Sequence, residues 1–291
     1  MVHSNTMQAK LTLSEGGVFP ITHNQDGQLI THLPNTGLVT AGTIQGEGKL
    51  AGTSTLFIRL ATCNLRCVWQ TITGDISPCD TPYASFQIDN PITYTVAEII
   101  SILSHNLGII HHIVISGGEP FLQAQELAEL CKAIKTEFNV HLTIETNGTI
   151  MSAEVLQYID LISVSPKLSS SNPTPEKLSV LNIESKGAFK LHSRTRINIE
   201  VLSQLIMFSV TNGKDIQFKF VVSSVEDEVE IKELLAELPK LHLSDILLMP
   251  LGGNSRQMDE VRKLTLEMVV RNGWRFSPRL HIDIFGSKEG V

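Results

Sequence analysis

Between residues 55 and 250, short apolar, β-branched runs alternate with stretches of helical period. The runs are "TLFIRL" (55–60), "HHIVIS" (111–116), "HLTIE" (141–145), "LISVS" (161–165), "IQFKFVV" (216–222) and "DILLMP" (245–250). Between them, Thr95 and Glu98 in "TVAEII" form a capping box that opens one helix. Leu127, Leu130, Cys131 and Ile134 make an i, i+3, i+4, i+7 stripe on the next. "EDEVEIKELLAELPK" and "MDEVRKLTLEMVVRNG" read as two more, the second stopped by Gly273. A chain of this pattern is expected to be α/β, with parallel strands, open or barrel-like, joined by right-handed crossovers. Residues 1–40, polar and weakly periodic, read as an irregular N-terminal extension. Residues 168–195, rich in Ser, Pro, Lys and Thr, read as an insertion between the fourth and fifth strands.

The polar and glycine-rich signals fall just after these strands. Cys63 follows the first, "GGEP" (117–120) the second and "TNGT" (146–149) the third. "PK" (166–167) follows the fourth, and "LGGN" (251–254) the sixth. Sites in parallel α/β folds lie at the carboxyl ends of the strands, so five signals on one edge predict one large site.

A net charge of −7 argues against a broad electrostatic grip on nucleic acid or anionic membrane. It leaves room for a small anion held by an arginine or two. No run of about 18 apolar residues offers a membrane span. The start, "MVHSNTMQAKLTLSEGG", lacks a basic segment followed by an apolar one, so no signal peptide is expected. The expected compartment is the reducing cytoplasm, where clustered cysteines mean metal or catalysis more often than disulfides.

Three of the four cysteines lie in "CNLRCVWQTITGDISPCDT" (63–81). Three thiolates can hold tetrahedral zinc if a fourth ligand arrives, or three corners of an iron–sulfur cube. Structural zinc sites show two tight Cys or His pairs, and no second pair exists here. Cys131, on an apolar helical stripe, reads as a core thiol. Cys67 and Cys79 are separated by eleven residues, but lengthening a flexible loop severalfold adds only about a kcal/mol of closure entropy. Such a loop leaves Cys63, Cys67 and Cys79 free to converge on one site.

"CNLRC…CDTPYA" resembles the cluster loop of the radical S-adenosylmethionine superfamily, with about nine extra residues (70–78) in its second gap. "SGGEP" (116–120) is similar to that superfamily's motif for the methionine amino group, with Glu119 as its charge partner. "TIQGEGKLAGT" (43–53) has the spacing of neither a phosphate loop nor a dinucleotide fingerprint. Together with "FIRLATC" (57–63), "ETNGT" (145–149), "SVSPK" (163–167) and "PRLHIDIFG" (278–286), it resembles the 7-carboxy-7-deazaguanine synthase family of the deazapurine (queuosine) pathway. The likeness runs from about residue 43 to the end of the sequence, in motif order.

That resemblance implies a partial (β/α) barrel over residues 41–291, in a homodimer. It implies a carbon–nitrogen lyase converting 6-carboxy-5,6,7,8-tetrahydropterin into 7-carboxy-7-deazaguanine and ammonia. Its cofactors would be a 4Fe–4S cluster, S-adenosylmethionine and Mg²⁺, and a flavodoxin-like or ferredoxin-like protein would supply electrons. Cys63, Cys67 and Cys79 would ligate the cluster. Pro78, Cys79, Asp80, Gly118, Glu119, Ser165, Pro166, Lys167 and the segment Met249, Pro250, Leu251, Gly252 would line S-adenosylmethionine. Thr81, with Asp80 nearby, would bind Mg²⁺, a hard cation that takes oxygen ligands. Ile44, Gln45, Gly46, Glu47, Arg59, Ser116, Glu145 and His281 would face the pterin, with Glu145, Glu47 and Arg59 closest to the chemistry. Arg59 suits a bidentate grip on the substrate carboxylate. His281 is expected on a terminal strand, and Val291 is expected to reach the substrate through its carboxylate. The competing expectations are another radical S-adenosylmethionine enzyme and a non-catalytic zinc protein.

Overall fold

The computed structural model describes residues 7–288 and 290–291. Its strands are β1 (Lys10–Phe19), β2 (Thr43–Ile44), β3 (Ser54–Leu60), β4 (Val68–Gln70), β5 (Ile76–Pro78) and β6 (Ile92–Thr95). They continue with β7 (His112–Gly117), β8 (His141–Thr146), β9 (Leu161–Val164), β10 (Asp215–Val222), β11 (Ile246–Pro250) and β12 (Arg275–Phe276). The main sheet runs β12-β11-β10-β9-β8-β7-β3-β1-β6, with β2 added beside β3. From β3 to β12 every neighbouring pair is parallel. All six expected strands are present, as a partial barrel rather than a closed one.

Helices follow these strands as the sequence periods require. Val96–Asn106 opens with the Thr95–Glu98 capping box: the Glu98 backbone N–H donates to Thr95 Oγ1, and the Thr95 N–H to the Glu98 carboxylate. Ala124–Glu137 buries Leu127, Leu130, Cys131 and Ile134. Ser255–Asn272 ends at Gly273, whose φ of 68° is the left-handed cap that glycine adopts without strain. No helix among the described residues is long and apolar enough to cross a membrane.

Three segments differ from their sequence expectation. Residues 10–19, expected to be irregular, form β1, antiparallel to both β3 and β6. A shift of register between Leu13 and Val18, at Gly16 and Gly17 with their positive φ, breaks the period-two alternation and hides the strand. Residues 168–195 hold two short helices, Pro175–Val180 and Ala188–Thr195. The strand expected around His281 is instead the helix Leu280–Phe285, because six residues alternating "LHIDIF" do not separate the two periods.

The extra residues of the cysteine loop fold as a hairpin. Strands β4 and β5 pair antiparallel, Val68 opposite Pro78 and Gln70 opposite Ile76. A three-residue turn, Ile72–Gly74, closes it with Gly74 at φ 93°. The ladder ends with the Cys79 N–H on the Cys67 carbonyl at 3.1 Å. Eleven intervening residues thus leave from Cys67 and return to its side.

Strand alternation sorts the chemistry. On β10, Phe218 and Phe220 are fully buried in the main apolar core, while Lys219 and Val221 line a cavity at the mouth of the barrel. Register sets a polar level across five strands: Arg59 beside Ser116, Glu145 beside Ser163, and Ser163 beside Gln217. Ser116 Oγ donates to Glu145 Oε2 at 2.8 Å and links the two halves. Fully apolar strands are the norm in parallel sheets, so this level marks the floor of a site.

Candidate active site

The cavity, about 500 Å³, lies at the carboxyl ends of β3 and β7–β11, a size typical of small-molecule sites. It takes in the residues assigned from sequence with three exceptions: Glu119, Pro166 and Pro250. The two prolines fall on the opposite side of their segments from their cavity-lining neighbours. Glu119 is fully buried and turned inward. Its carboxylate accepts from the backbone N–H of Phe121 and Asn147 and from Thr146 Oγ1. The expected charge partner for an amino group is therefore absent from the wall. Glu119 bolts the end of β7 to the turn after β8. Burial pushes its carboxyl up to about 7 against those hydrogen bonds and the Lys167 charge.

Cys63, Cys67 and Cys79 all face this cavity, and all are free thiols. The loop that carries them is fixed from three sides. Thr62, at φ 83°, gives its N–H to the Ala84 carbonyl and accepts at its own carbonyl from the Glu119 N–H. That conformation is strained for a β-branched residue and needs such restraint. Gly118 is required there, since a Cβ would lie 2.2 Å from the Thr62 oxygen. Asn64 donates to Thr149 Oγ1 (2.8 Å) and accepts from Asn147 Nδ2 (2.9 Å), so the "TNGT" turn holds the loop from the next strand.

Burial pushes the Cys63 thiol up to about 11, with the Glu119 carboxylate nearby adding to the rise, and raises Cys67 as well. Without a cation these thiols stay protonated; a bound metal inverts that preference. Among the described residues, no three His, Cys, Asp or Glu side chains gather round one point as a mononuclear zinc site needs. Three thiols lining one cavity are the donor set that a cluster takes, each sulfur on a different iron. Cys131 is fully buried in the helix Ala124–Glu137, apart from the cavity.

A chain of ion pairs also lines the cavity and ends at Asp80, beside Cys79. Lys219 Nζ meets Glu47 Oε2 at 2.5 Å and Glu145 Oε1 at 3.9 Å. Arg279 gives Nε to Glu47 (2.9 Å), Nη1 to the Gly252 carbonyl and Nη2 to Asp80 (2.7 Å). Burial alone would raise Glu47, but Lys219, Arg279 and His281 outweigh it and hold the carboxyl well below the usual range. Asp80 is lowered in the same way, burial being outweighed chiefly by Arg279. His281 comes within 3.9 Å of Glu47 because residue 46 is glycine: a Cβ there would lie 2.0 Å from the imidazole. Gln45 Nε2 donates to Glu145 Oε1 at 3.2 Å.

The sequence motifs do not by themselves single out Lys219 or Arg279. A signal existed for Lys219, since "IQFKFVV" sets Gln and Lys on alternate positions of a strand expected to be apolar on both faces. Arg279 sits inside "PRLHIDIFG", where the family likeness points to His281, two positions further on.

Arg59 has a different environment. Its guanidinium lies over the rings of Phe19 (5.2 Å) and Tyr83 (5.9 Å), at the cavity wall. Its Nε is buried without a hydrogen-bond partner. A buried donor left open in this way is matched by an anionic ligand. Gly290 and Val291 also line the cavity.

The cysteine loop, the "GGEP" turn and the parallel partial barrel define an enzyme of the radical S-adenosylmethionine class, and residues 58–190 match the Radical SAM superfamily. An iron–sulfur cluster and S-adenosylmethionine belong to that class. A 7-carboxy-7-deazaguanine synthase of Halobacterium salinarum is 34% identical over 84% of this chain and 87% of the relative. One of Rhodopirellula baltica is 31% identical over 94% of this chain and 96% of the relative. The chain belongs to the 7-carboxy-7-deazaguanine synthase family. The crystal structure of QueE from Escherichia coli shares the fold, with a TM-score of 0.55 and 23% identity over 81% of this chain and 89% of that one.

Proposed function

We propose that this chain converts 6-carboxy-5,6,7,8-tetrahydropterin into 7-carboxy-7-deazaguanine with release of ammonia. The observation that carries the reading is Arg59: a ring-stacked guanidinium on the wall of the cavity that also holds three thiols, with its buried Nε left without a hydrogen-bond partner. When bound, a reduced 4Fe–4S cluster and S-adenosylmethionine supply a carbon-centred radical for hydrogen abstraction. Cys63, Cys67 and Cys79 would hold that cluster. Ser165 and Lys167, joined at 2.8 Å, offer a hydroxyl and an ammonium to the ribose and carboxylate of S-adenosylmethionine.

The remaining residues bind and orient. Arg59 grips the substrate carboxylate through its planar fork. Glu145, held by Ser116 and Gln45, and ionised Glu47 present acceptors to the N–H groups of the ring system. Lys219 and Arg279 keep Glu47 charged inside a buried cavity and fix its direction. Thr81, with Asp80 beside it, supplies oxygen donors on the wall, which supports an Mg²⁺ site completed by water and substrate. The same family reading makes the protein a cytoplasmic homodimer reduced by a flavodoxin-like or ferredoxin-like donor.

Anaerobic turnover tests the reading. The reconstituted protein, given S-adenosylmethionine, a reductant and the carboxytetrahydropterin, should yield a product with the mass of 7-carboxy-7-deazaguanine. S-adenosylmethionine cleavage without that product would leave another radical enzyme of the class.

A further inference from the structure

Residues 168–195 lie outside the motifs that carry the family likeness, yet they touch the cysteine loop at two backbone atoms. The Arg66 backbone N–H, between Cys63 and Cys67, donates to His192 Nδ1 at 3.1 Å. His192 and Ser171 are both fully buried. Ser171 Oγ donates to the Leu168 carbonyl (2.6 Å), so it can only accept from His192 Nε2 at 3.1 Å. This fixes the tautomer: Nε2 carries the hydrogen, and Nδ1 is free to accept from the loop. Burial, with Arg196, Lys167, Lys177 and Arg66 around the ring, depresses its pKa to about 4.

A second contact lies on the other side of Cys67. Lys177 Nζ donates to the Val68 carbonyl (2.8 Å) and, within its own segment, to the carbonyls of Ser170 (2.7 Å) and Asn172 (3.0 Å). A third passes through side chains: Arg66 lies over Phe86, whose ring meets Phe189 edge-on at 5.6 Å. The segment is itself pinned to the barrel. Glu230 accepts from the Ser169 N–H (2.8 Å) and from Arg196 Nη1 (2.7 Å), and Arg196 also donates to the Lys167 carbonyl.

We propose that residues 168–195 are a clamp on the cluster loop, in which His192 holds the Cys63–Cys67 turn and Lys177 holds the root of the hairpin. His192 is a positioning residue: it acts through the Arg66 peptide and touches neither thiol. The clamp fixes the sulfurs before iron arrives, so less loop ordering remains to be done on loading. The inference rests on the cysteine assignment above but not on the identity of the substrate.

The test compares His192→Asn with His192→Gln. Asparagine places an acceptor near the position of Nδ1, whereas glutamine places its polar end near Nε2. In the iron-free chain, alkylation of Cys67 by iodoacetamide should stay within about twofold of wild type in the Asn variant. It should rise about tenfold in the Gln variant, the change expected when one buried hydrogen bond is lost from a local opening. Cys131 alkylation should not change in either. Iron release to a chelator from the reconstituted protein should follow the same order. Equal rates in the two variants, whether both fast or both slow, would overturn the clamp. Lys177→Met gives an independent reading at the hairpin root: an unchanged Cys67 rate there would also overturn it. If the wild type took up no iron, the cysteine assignment would fall, while the alkylation contrast would still decide the clamp.

Discussion

Lys219, on β10, and Glu47, in the turn between β2 and β3, meet at 2.5 Å inside the cavity although three strands of the sheet separate β10 from β3, with side chains only 7% and 14% exposed. Both are kept charged by one another, and Arg279 completes the group. Removing one member of a buried pair costs about 3–5 kcal/mol when nothing else compensates the charge left behind; here Arg279 still faces Glu47 at 2.9 Å, which puts the loss at the low end. Lys219→Met should therefore lower the urea unfolding free energy by about 3 kcal/mol. Lys219→Met combined with Glu47→Gln should recover much of that loss, as a double-mutant cycle would show. Additive effects would mean that the two side chains are not coupled.

Arg59 should behave differently, because its partner is the ligand. Arg59→Lys keeps the charge and loses the fork. KM for the carboxytetrahydropterin should rise about tenfold or more, the cost of a charged hydrogen bond. Stability should change little, since the structure gives the guanidinium no ion-pair partner among the described residues. An unchanged KM would remove Arg59 from the carboxylate site.

The cysteines divide three to one. Cys63→Ala, Cys67→Ala and Cys79→Ala should each abolish iron uptake on anaerobic reconstitution. Cys131→Ala should keep it, at a stability cost of about 1 kcal/mol for a small cavity. Loss of iron from Cys131→Ala in a folded chain would contradict the assignment.

Much of this was legible in the sequence, for identifiable reasons. Parallel strands announce themselves as apolar runs, and the residues just beyond them, Cys63, Gly118, Asn147, Lys167 and Gly252, stand at one edge because every such strand points the same way. What escaped was hidden by local irregularity. Gly16 and Gly17 interrupt the alternation of β1. "QTITGDISP" is too polar and too short to declare a hairpin. Glu119 sits in its motif as expected, but only the fold shows its carboxylate turned away from the cavity.

Acid should expose the neutral histidine at the opposite end of the strands. His112 is 2% exposed; its Nε2 meets Thr143 Oγ1 at 2.8 Å, and its Nδ1 has no partner. Burial, and then the neighbouring His141, lower its pKa from 6.5 to about 4. A folded-state pKa below the unfolded one means that the unfolded chain binds the extra proton. The stabilisation is complete above 6.5 and is lost as pH falls from there towards 4, up to about 3 kcal/mol. Urea midpoints at several pH values should fall over this window, and the fall should be shallower in His112→Gln. Identical slopes would show that His112 does not contribute.

The hairpin makes the last prediction, and it concerns register rather than composition. Cys79 reaches the cavity because the ladder puts it opposite Cys67, two steps beyond the Trp69–Ser77 pair. In a β-ladder a shift of one residue turns every side chain to the other face. Replacing the turn Ile72–Gly74 by Asn-Gly shortens the loop but leaves the pairs below it in place, since that dipeptide favours a two-residue hairpin turn. Iron uptake should then match wild type. Inserting one alanine between Ile76 and Ser77 keeps the turn and the cysteines but slips the register, or forces a bulge, just before Cys79. Iron uptake should drop severely, with an unfolding midpoint close to that of wild type, because the hairpin lies at the rim of the barrel. If the insertion loaded iron as well as the shortened turn did, the loop would be a passive tether, and the ladder would have no part in bringing the third thiol to the other two.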